Sequence, residues 1–346
     1  LSATLPKQES EAFSNLRFMI GNTPMLELRY RYQGQPGRIW VKCEYYNLSG
    51  SIKDRMALHI LRQAYQEGLL RRGDTIVEAT SGNTGIAFAA LGRALGHPVR
   101  IYMPDWLSRE RSELLESMGA KVRLVSAEEG GFLRSIQLAG ERAEREPRVF
   151  QPRQFENELN AQAHEWGTGP EIWYQLRLLG KTPDAFVAGV GTGGTIMGVA
   201  AFLRRHNQQI RLHPLEPAQS PTLSTGCKVG RHRLQGISDE FVPPILKLDE
   251  LDAVVQAHDG DAIRMVQKLS AQLGLGVGPS SGANVLGAIR LQQELGPEAT
   301  VVTVLPDSNA KYLSTDLFWE QPLKEDYISP KVEFEGYTPI RRLFGW

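Results

Sequence analysis

The sequence predicts an α/β protein of two domains. Three observations carry that expectation. Strand-like and helix-like runs alternate along most of the chain, the alternation breaks near 150–160 and then resumes, and glycine-containing turns join strands to helices. Strands separated by helices imply crossover units and parallel sheet, and two runs of such units imply a shared cleft as the default binding site.

The elements follow in order. IWVKCEYY (39–46) has the β-branched and aromatic content of a strand. SIKDRMALHILRQAYQEGLL (51–70) has helical periodicity, with Met56, Ile60, Leu61 and Tyr65 on neighbouring faces. TIVEA (75–79) reads as a buried strand and GNTGIAFAALGRALG (82–96) as a helix of small residues. Strands at 99–104 and 121–126 alternate with helices at 108–119 and 131–146. Past Gln151 the pattern predicts helices over 159–178, 194–206 and 261–274 and another after Ser280, with strands over 185–190, 210–216 and 301–306. Residues 207–260 are less regular and rich in Pro, Gly and His. The last stretch, 319–346, carries Trp319, Tyr327, Phe334, Tyr337, Phe344 and Trp346. So many aromatics argue against a disordered tail, and the stretch is expected to pack on the body or on a partner subunit.

Composition narrows the function. With 41% hydrophobic and 23% charged residues, the 346-residue chain has the balance of a globular protein. A formal net charge of +0 gives no support for a nucleic-acid or membrane surface. No apolar run approaches the roughly 20 residues of a membrane span. The first stretch lacks an apolar signal core, although it does not begin with Met. Cys43 and Cys227 are too few for a disulfide framework, and the seven His show no paired metal spacing. A reducing, cytoplasmic location without a catalytic metal is expected.

Four segments can carry chemistry. In Asn47-Leu-Ser-Gly-Ser-Ile-Lys-Asp-Arg55, Ser51 and Asp54 have capping-box spacing, which puts Lys53 in a first helical turn. The positive end of the helix dipole disfavours a protonated amine there, as a Schiff-base lysine requires; a solvated lysine is the plainer reading. In Glu78-Ala-Thr-Ser-Gly-Asn-Thr-Gly85, a strand runs through a turn into a helix whose free N–H groups suit an anion. Thr80, Ser81, Asn83 and Thr84 add neutral donors, which fits a carboxylate as well as it fits a simple capped turn. Gly189-Val-Gly-Thr-Gly-Gly-Thr195 also lies between strand and helix. Its Gly189, Gly191 and Gly194 match G-x-G-x-x-G, and Glu216 sits where a ribose-binding acid would, so a dinucleotide dehydrogenase is one reading. The same loop suits a single phosphate held by glycine amides, Thr192 and Thr195. Gly278-Pro-Ser-Ser-Gly-Ala-Asn284 opens a helix, with Ser280 or Ser281 able to cap it.

Taken together, from Gly21-Asn22-Thr23-Pro24 to Lys311-Tyr312-Leu313-Ser314-Thr315, these segments resemble the cysteine synthase and cystathionine β-synthase family of pyridoxal-phosphate enzymes. The resemblance implies two three-layer α/β domains of the tryptophan synthase β-like fold, with the active site between them. It implies a smaller domain over 40–160, a larger one from 18–39 and 161–318, and a homodimer. Lys53 would hold pyridoxal 5'-phosphate as a Schiff base and move protons at Cα and Cβ. Thr80, Ser81, Gly82, Asn83, Thr84 and Gln154 would hold the substrate carboxylate, with Asn83 also near the cofactor's ring hydroxyl. Gly191, Thr192, Gly193, Gly194 and Thr195 would cradle the phosphate, and Ser280 would meet the pyridine nitrogen. A serine there leaves that nitrogen largely neutral, which favours loss of a β-leaving group over transamination. The implied activity is β-replacement on a serine-type amino acid through an aminoacrylate, foremost as an O-acetylserine or O-phosphoserine sulfhydrylase.

The chain departs from the family pattern in places. Gln235-Gly236-Ile237 is present, with Gly236 implied to bind the substrate, but Ser238-Asp239-Glu240-Phe241 follows where cysteine synthases carry small residues. Asp239 and Glu240 would repel a sulfide anion, act as a base on water, hold an amine, or form an exposed acidic turn. Cysteine breakdown with release of sulfide therefore stands as an alternative, as do cystathionine-, lanthionine- or 2,3-diaminopropionate-forming reactions and a silent peptide-binding homologue. Lys228-Val-Gly-Arg-His-Arg233 puts basic groups before this segment, either favouring a phosphorylated donor or forming a solvated loop. The usual Asp-Ser-Gly-Glu-Arg-Tyr appears as Asp307-Ser308-Asn309-Ala310-Lys311-Tyr312.

Overall fold

The computed structural model describes residues 6–80, 82–238 and 240–343. Eleven strands lie among them: β1 Met25–Tyr32, β2 Gln35–Cys43, β3 Thr75–Ala79, β4 Val99–Pro104, β5 Lys121–Val125, β6 Val149–Phe150, β7 Ala185–Gly189, β8 Arg211–Pro217, β9 Val255–Ala257, β10 Val301–Leu305 and β11 Val332–Ile340. They form two sheets. The smaller has the order β5-β4-β3-β6 and is parallel throughout. The larger has the order β11-β1-β2-β10-β7-β8-β9. It is parallel from β2 to β9 and antiparallel across β11, β1 and β2.

Parallel strands covered on both faces read as continuous apolar runs, because helices shield them from water on either side. β10, Val-Val-Thr-Val-Leu, is buried at every position, and β7 is buried up to its closing glycine. The small sheet packs its β3 and β4 side chains against helices Lys53–Gln66 and Asn83–Ala94, through Met56, Ile60, Ile76, Ile86, Phe88 and Ile101. The large sheet has cores on its two faces, one around helices Asp259–Leu273 and Pro279–Leu295 and one around helix Gly194–His206.

Some sequence expectations need correction. The expected division at residue 40 falls inside β2, which is held from Gln35 to Cys43 by antiparallel pairing with β1. The helix over 159–178 is three pieces: α-helix Leu159–Ala163, a π-helical turn His164–Thr168 and α-helix Gly169–Arg177. Pro170 brings no N–H to the ladder, and the ladder widens just before it. The C-terminal stretch contains β11 paired along β1, with Tyr327 buried and Trp319 68% exposed. Phe344 and Trp346 lie outside the described residues.

Candidate active site

Four segments leave the C-terminal ends of parallel strands and converge. Such ends are where ligands bind in open α/β sheets, because the chain turns there and exposes backbone donors at the following helix. β2 runs into the turn before Lys53, β3 into Thr80–Thr84, β7 into Gly191–Thr195 and β10 into Pro306-Asp307. The cleft they enclose is lined by Lys53, Thr80, Asn83, Thr84, Gln154, Gly191, Thr192, Gly193, Thr195, Gly236 and Ser280, among others. One segment from the small sheet and three from the large one thus face a common space.

Local bonding fixes each segment. Lys53 opens helix Lys53–Gln66, and Ser51 Oγ accepts from Lys53 N–H at 3.3 Å, but the reciprocal half of the capping box is not formed. Ser51 is drawn into a bridge with Asp307, and Ile52 N–H donates to Pro306 O. Asp54 instead turns back and accepts from Ser49 N–H at 2.6 Å and from the Ser49 hydroxyl. Burial pushes the Asp54 carboxyl up to about 6.

In the second segment the Gly82 N–H donates to Thr80 Oγ1 at 3.0 Å, and Thr84 Oγ1 donates to Gln154 Oε1 at 2.6 Å. Gln154 Nε2 in turn donates to Ala79 O. Gly82 has φ +154, and a Cβ there would lie 2.7 Å from the Arg111 side chain. Asn83 Nδ2 donates to Asp307 Oδ2 at 2.7 Å, and Asn83 Oδ1 accepts from Lys311 Nζ at 2.9 Å. Ser81 lies outside the described residues.

The glycine loop allows close backbone approach. A Cβ on Gly191 would sit 2.5 Å from Gly236 O, and one on Gly194 would sit 2.0 Å from Asn160 Oδ1. Gly193 has φ +87, in the region that favours glycine. Among the described residues, the N–H groups of Gly191, Thr192 and Gly193 have no hydrogen-bond acceptor. Asn160 Nδ2 donates to both Thr192 Oγ1 and Gln154 O, which ties the third segment to the second. Thr195 Oγ1 lies 3.4 Å from His164 Nε2, and burial holds His164 neutral, with its pKa well below the ordinary histidine value. Ser280 is buried at the start of helix Pro279–Leu295. That helix is pinned where Asn284 accepts from Gly189 N–H and donates to Val304 O.

The dinucleotide reading fails at Glu216. Its carboxylate is buried and accepts from the N–H groups of Leu223 and Ser224, the Ser224 hydroxyl and Gln256 Nε2, so it is committed to the fold. Glu240 does not line the cleft; it pairs with Lys228 at 3.0 Å. Asp239 lies outside the described residues. Arg233 is also engaged, on Asp259 and Asp316, and His232 Nε2 lies 3.0 Å from Ser238 O. Sequence reasoning did not single out Arg111, which is buried in the cleft wall over the Tyr312 ring. Arg111 sits in an ordinary-looking charged helix, and only the fold brings that helix to the Thr80–Thr84 loop.

Comparison with known proteins shows the family. The family model described as pyridoxal-phosphate dependent enzyme matches residues 16–307. The chain belongs to this family. It is 42% identical over 305 residues to a probable cysteine synthase of Bacillus subtilis (strain 168), covering 88% of this chain and 97% of that one. A hydrogen sulfide-producing enzyme from Fusobacterium nucleatum superposes with TM-score 0.93 at 53% identity, covering 96% and 99% of the two chains. An aspartate-to-asparagine variant of that enzyme, in complex with an α-aminoacrylate intermediate, matches with TM-score 0.92 at 54% identity over 94% and 97% of the two chains. Cysteine synthase from Entamoeba histolytica matches with TM-score 0.81 at 32% identity over 94% and 95%. The chain is thus a pyridoxal-phosphate-dependent enzyme of the β-replacement and β-elimination type, acting on an amino acid.

The cleft fits the cofactor. The glycine loop has no room for a Cβ at Gly191 and Gly194, and its N–H groups without acceptors at the start of a helix suit a phosphate. Lys53 opens a helix in the same cleft, and Ser280 faces it from the other sheet. Among the described residues no group of three or more His, Cys, Asp or Glu could hold a metal ion, and no helix is long and apolar enough to cross a membrane.

Proposed function

We propose that the enzyme acts on cysteine, breaking its Cβ–S bond with water as the replacing group and releasing sulfide and serine. The observation that carries this reading is the 53% identity to a hydrogen sulfide-producing enzyme over 96% of the chain. The sequence Asp239-Glu240, in place of small residues shortly after the cleft-lining Gly236 and Ile237, supports it, because carboxylates disfavour a sulfide nucleophile and take protons from water. Cysteine synthase is the second reading, favoured by the 42% identity to the Bacillus enzyme. The two share every step up to departure of the β-substituent and differ in what then adds.

Bound pyridoxal phosphate supplies the electron sink that lets the Cα proton and the β-substituent leave. The residues divide the remaining work. Gly191, Thr192, Gly193, Gly194 and Thr195 hold the phosphate by N–H and hydroxyl donors. Thr80, Ser81, Gly82, Thr84 and Gln154 hold the substrate carboxylate through neutral donors and the N-terminus of helix Asn83–Ala94. Lys53 binds the cofactor, takes the proton from Cα and returns it. Ser280 meets the ring nitrogen with a hydroxyl, which leaves that nitrogen without a full charge. Sulfide would leave first as HS−, with the thiol's own hydrogen; Asp239 would then take a proton from water as the water oxygen bonds to Cβ, and Lys53 would return the proton to Cα. Glu240, paired with Lys228, holds the segment that carries Asp239. A homodimer in a reducing, cytoplasmic setting completes the proposal; both cysteines are free thiols, Cys43 buried and Cys227 exposed.

The test incubates holoenzyme with L-cysteine alone and, separately, with O-acetylserine and sulfide. The expected result is sulfide and serine in equal amounts from cysteine, with a higher kcat/KM than for cysteine formation. A kcat/KM for cysteine formation that is tenfold the larger would overturn the proposal in favour of cysteine synthase.

A further inference from the structure

Lys311 lies where the family pattern has arginine, in the segment that follows β10. It is 6% exposed, and its Nζ donates to two acceptors at once: Asn83 Oδ1 at 2.9 Å and Gly50 O at 3.2 Å. Gly50 belongs to the turn before Lys53, and Asn83 to the loop beneath the substrate. One ammonium therefore joins the two segments that carry the reacting groups. The same stretch fastens itself to the small-sheet side, where Ser108 Oγ donates to Lys311 O and Glu110 accepts from Ser314 N–H and Oγ.

The partners also decide which way the Asn83 amide points. An ammonium only donates and a carboxylate only accepts, so Oδ1 must face Lys311 and Nδ2 must face Asp307. The Asp307 carboxylate is itself held by the Tyr312 hydroxyl at 2.6 Å. Asn83 lines the cleft, and its one uncommitted hydrogen is the second on Nδ2. The charged and titratable groups around the ammonium are Asp307 and Asp54, which favour it, and Arg111, which opposes it. Burial lowers the Lys311 pKa, against the pull of the two carboxylates.

We propose that Lys311 is a positioning residue that acts through Asn83: it fixes the amide so that an N–H, and never the oxygen, is offered to the ring oxygen of the bound cofactor. This rests on the pyridoxal-phosphate reading of the cleft. An N–H donor favours the ionised ring hydroxyl over the neutral one. Without Lys311 the buried Oδ1 loses its donor, the amide rotates to find another, and the ring hydroxyl holds its proton to higher pH.

The experiment is a pH titration of the visible absorption band of the holoenzyme, for the wild type, Lys311→Met, Lys311→Arg, Asn83→Ala and the double variant. For Lys311→Met the expected result is cofactor uptake, transfer of part of the band to shorter wavelength, and a midpoint moved by about one pH unit. Lys311→Arg, which keeps charge and donors, is expected to keep the wild-type band. Asn83→Ala is expected to show the shift alone, with no further change when Lys311→Met is added. A Lys311→Met band that titrates like wild type overturns the proposal, as do additive shifts in the double variant. If Lys311→Met does not fold, a shifted band in a folded Lys311→Arg protein overturns it. A wild type with no visible band overturns the cofactor reading itself, which separates that failure from failure of the Lys311 role.

Discussion

At the scale of single residues, the site depends on groups that water does not reach. Glu78 lies one residue before the end of β3, next to the Thr80–Thr84 loop, and is 2% exposed. Its carboxyl accepts from Ala79 N–H at 2.8 Å and from Gln154 N–H at 3.2 Å, so it positions the Gln154 segment. Burial pushes its pKa up to about 7, against the pull of those N–H donors. The folded state therefore holds the proton more tightly than the unfolded chain does. The resulting stability is fully present below the ordinary carboxyl value and is lost as pH rises through about 7. A tenfold difference in proton affinity between the two states is worth about 1.4 kcal/mol, so the loss between about pH 4 and pH 8 is on the order of 2–3 kcal/mol. Glu78→Gln is expected to remove this slope. Urea unfolding of both proteins across that range checks it, and parallel curves would show that folding leaves the Glu78 pKa unshifted. Sequence reading found Glu78 only as the start of a motif. Nothing in Thr-Ile-Val-Glu-Ala marks the carboxyl as buried, since that follows from β4 and β6 pairing on either side of β3.

At the scale of elements, helix Lys53–Gln66 is held by an ion network two residues beyond the lysine. Arg55 pairs with Glu44 at 2.6 Å and with Glu171 at 2.7 Å, and Lys42 pairs with Glu171 at 2.7 Å, all of them buried. Burial alone would raise the Glu171 carboxyl, but the charges of Arg55 and Lys42 outweigh it and hold the group well below the usual carboxylate range. Arg55 belongs to the small-sheet helix, Lys42 and Glu44 to β2 and its turn, and Glu171 to helix Gly169–Arg177 of the large sheet. The network thus joins the two sheets beside Lys53. Removing one partner leaves a buried charge without compensation, which costs about 3–5 kcal/mol. Glu171→Gln is expected to lose that much in denaturant unfolding and to weaken cofactor retention; a loss under about 1 kcal/mol would show that water reaches Arg55 and Lys42. The strand–turn–helix units that make the site were legible because each couples a buried run to a glycine turn within a dozen residues. The network was not, because Glu171 is 116 residues from Arg55 in sequence. A still longer separation in sequence hid the bridge between Ser51 and Asp307.

At the scale of the whole molecule, the large sheet would end at β1 without the C-terminal stretch. β1 and β11 escaped the sequence reading because their buried positions are interrupted by exposed or half-buried ones rather than forming an apolar run. In β11 only Val332 and Ile340 are buried, and Pro339 interrupts its donors. Its bonds to the body are nonetheless numerous. Asp261 accepts from the N–H groups of Ile328 and Ser329, Lys268 Nζ donates to the carbonyls of Ser329 and Val332, and Gln175 Nε2 donates to Arg341 O. Asn22 also reaches across, donating to Leu343 O, and its neighbour Thr23 bonds to Glu44 in the ion network. The tail thus bears on the same core that holds Lys53. A chain ending at residue 318 would expose the hydrogen-bonding edge of β1 from Met25 to Tyr32, and an open edge of that length is a template for pairing with other copies. Truncation at 318 is therefore expected to lower the unfolding temperature by several degrees and to cause aggregation seen by light scattering. A charged residue in place of Leu28 would not rescue it, since Leu28 faces the core. Lysine in place of half-buried Arg29 or Glu27 would not change the edge pairing either, because the exposed groups are backbone. Rescue is expected instead from Arg31→Pro, which removes one edge donor at the end of β1 that turns into β2. A truncated chain that stays monomeric with an unchanged unfolding temperature would show that β1 is stable as a free edge and that the tail has another purpose.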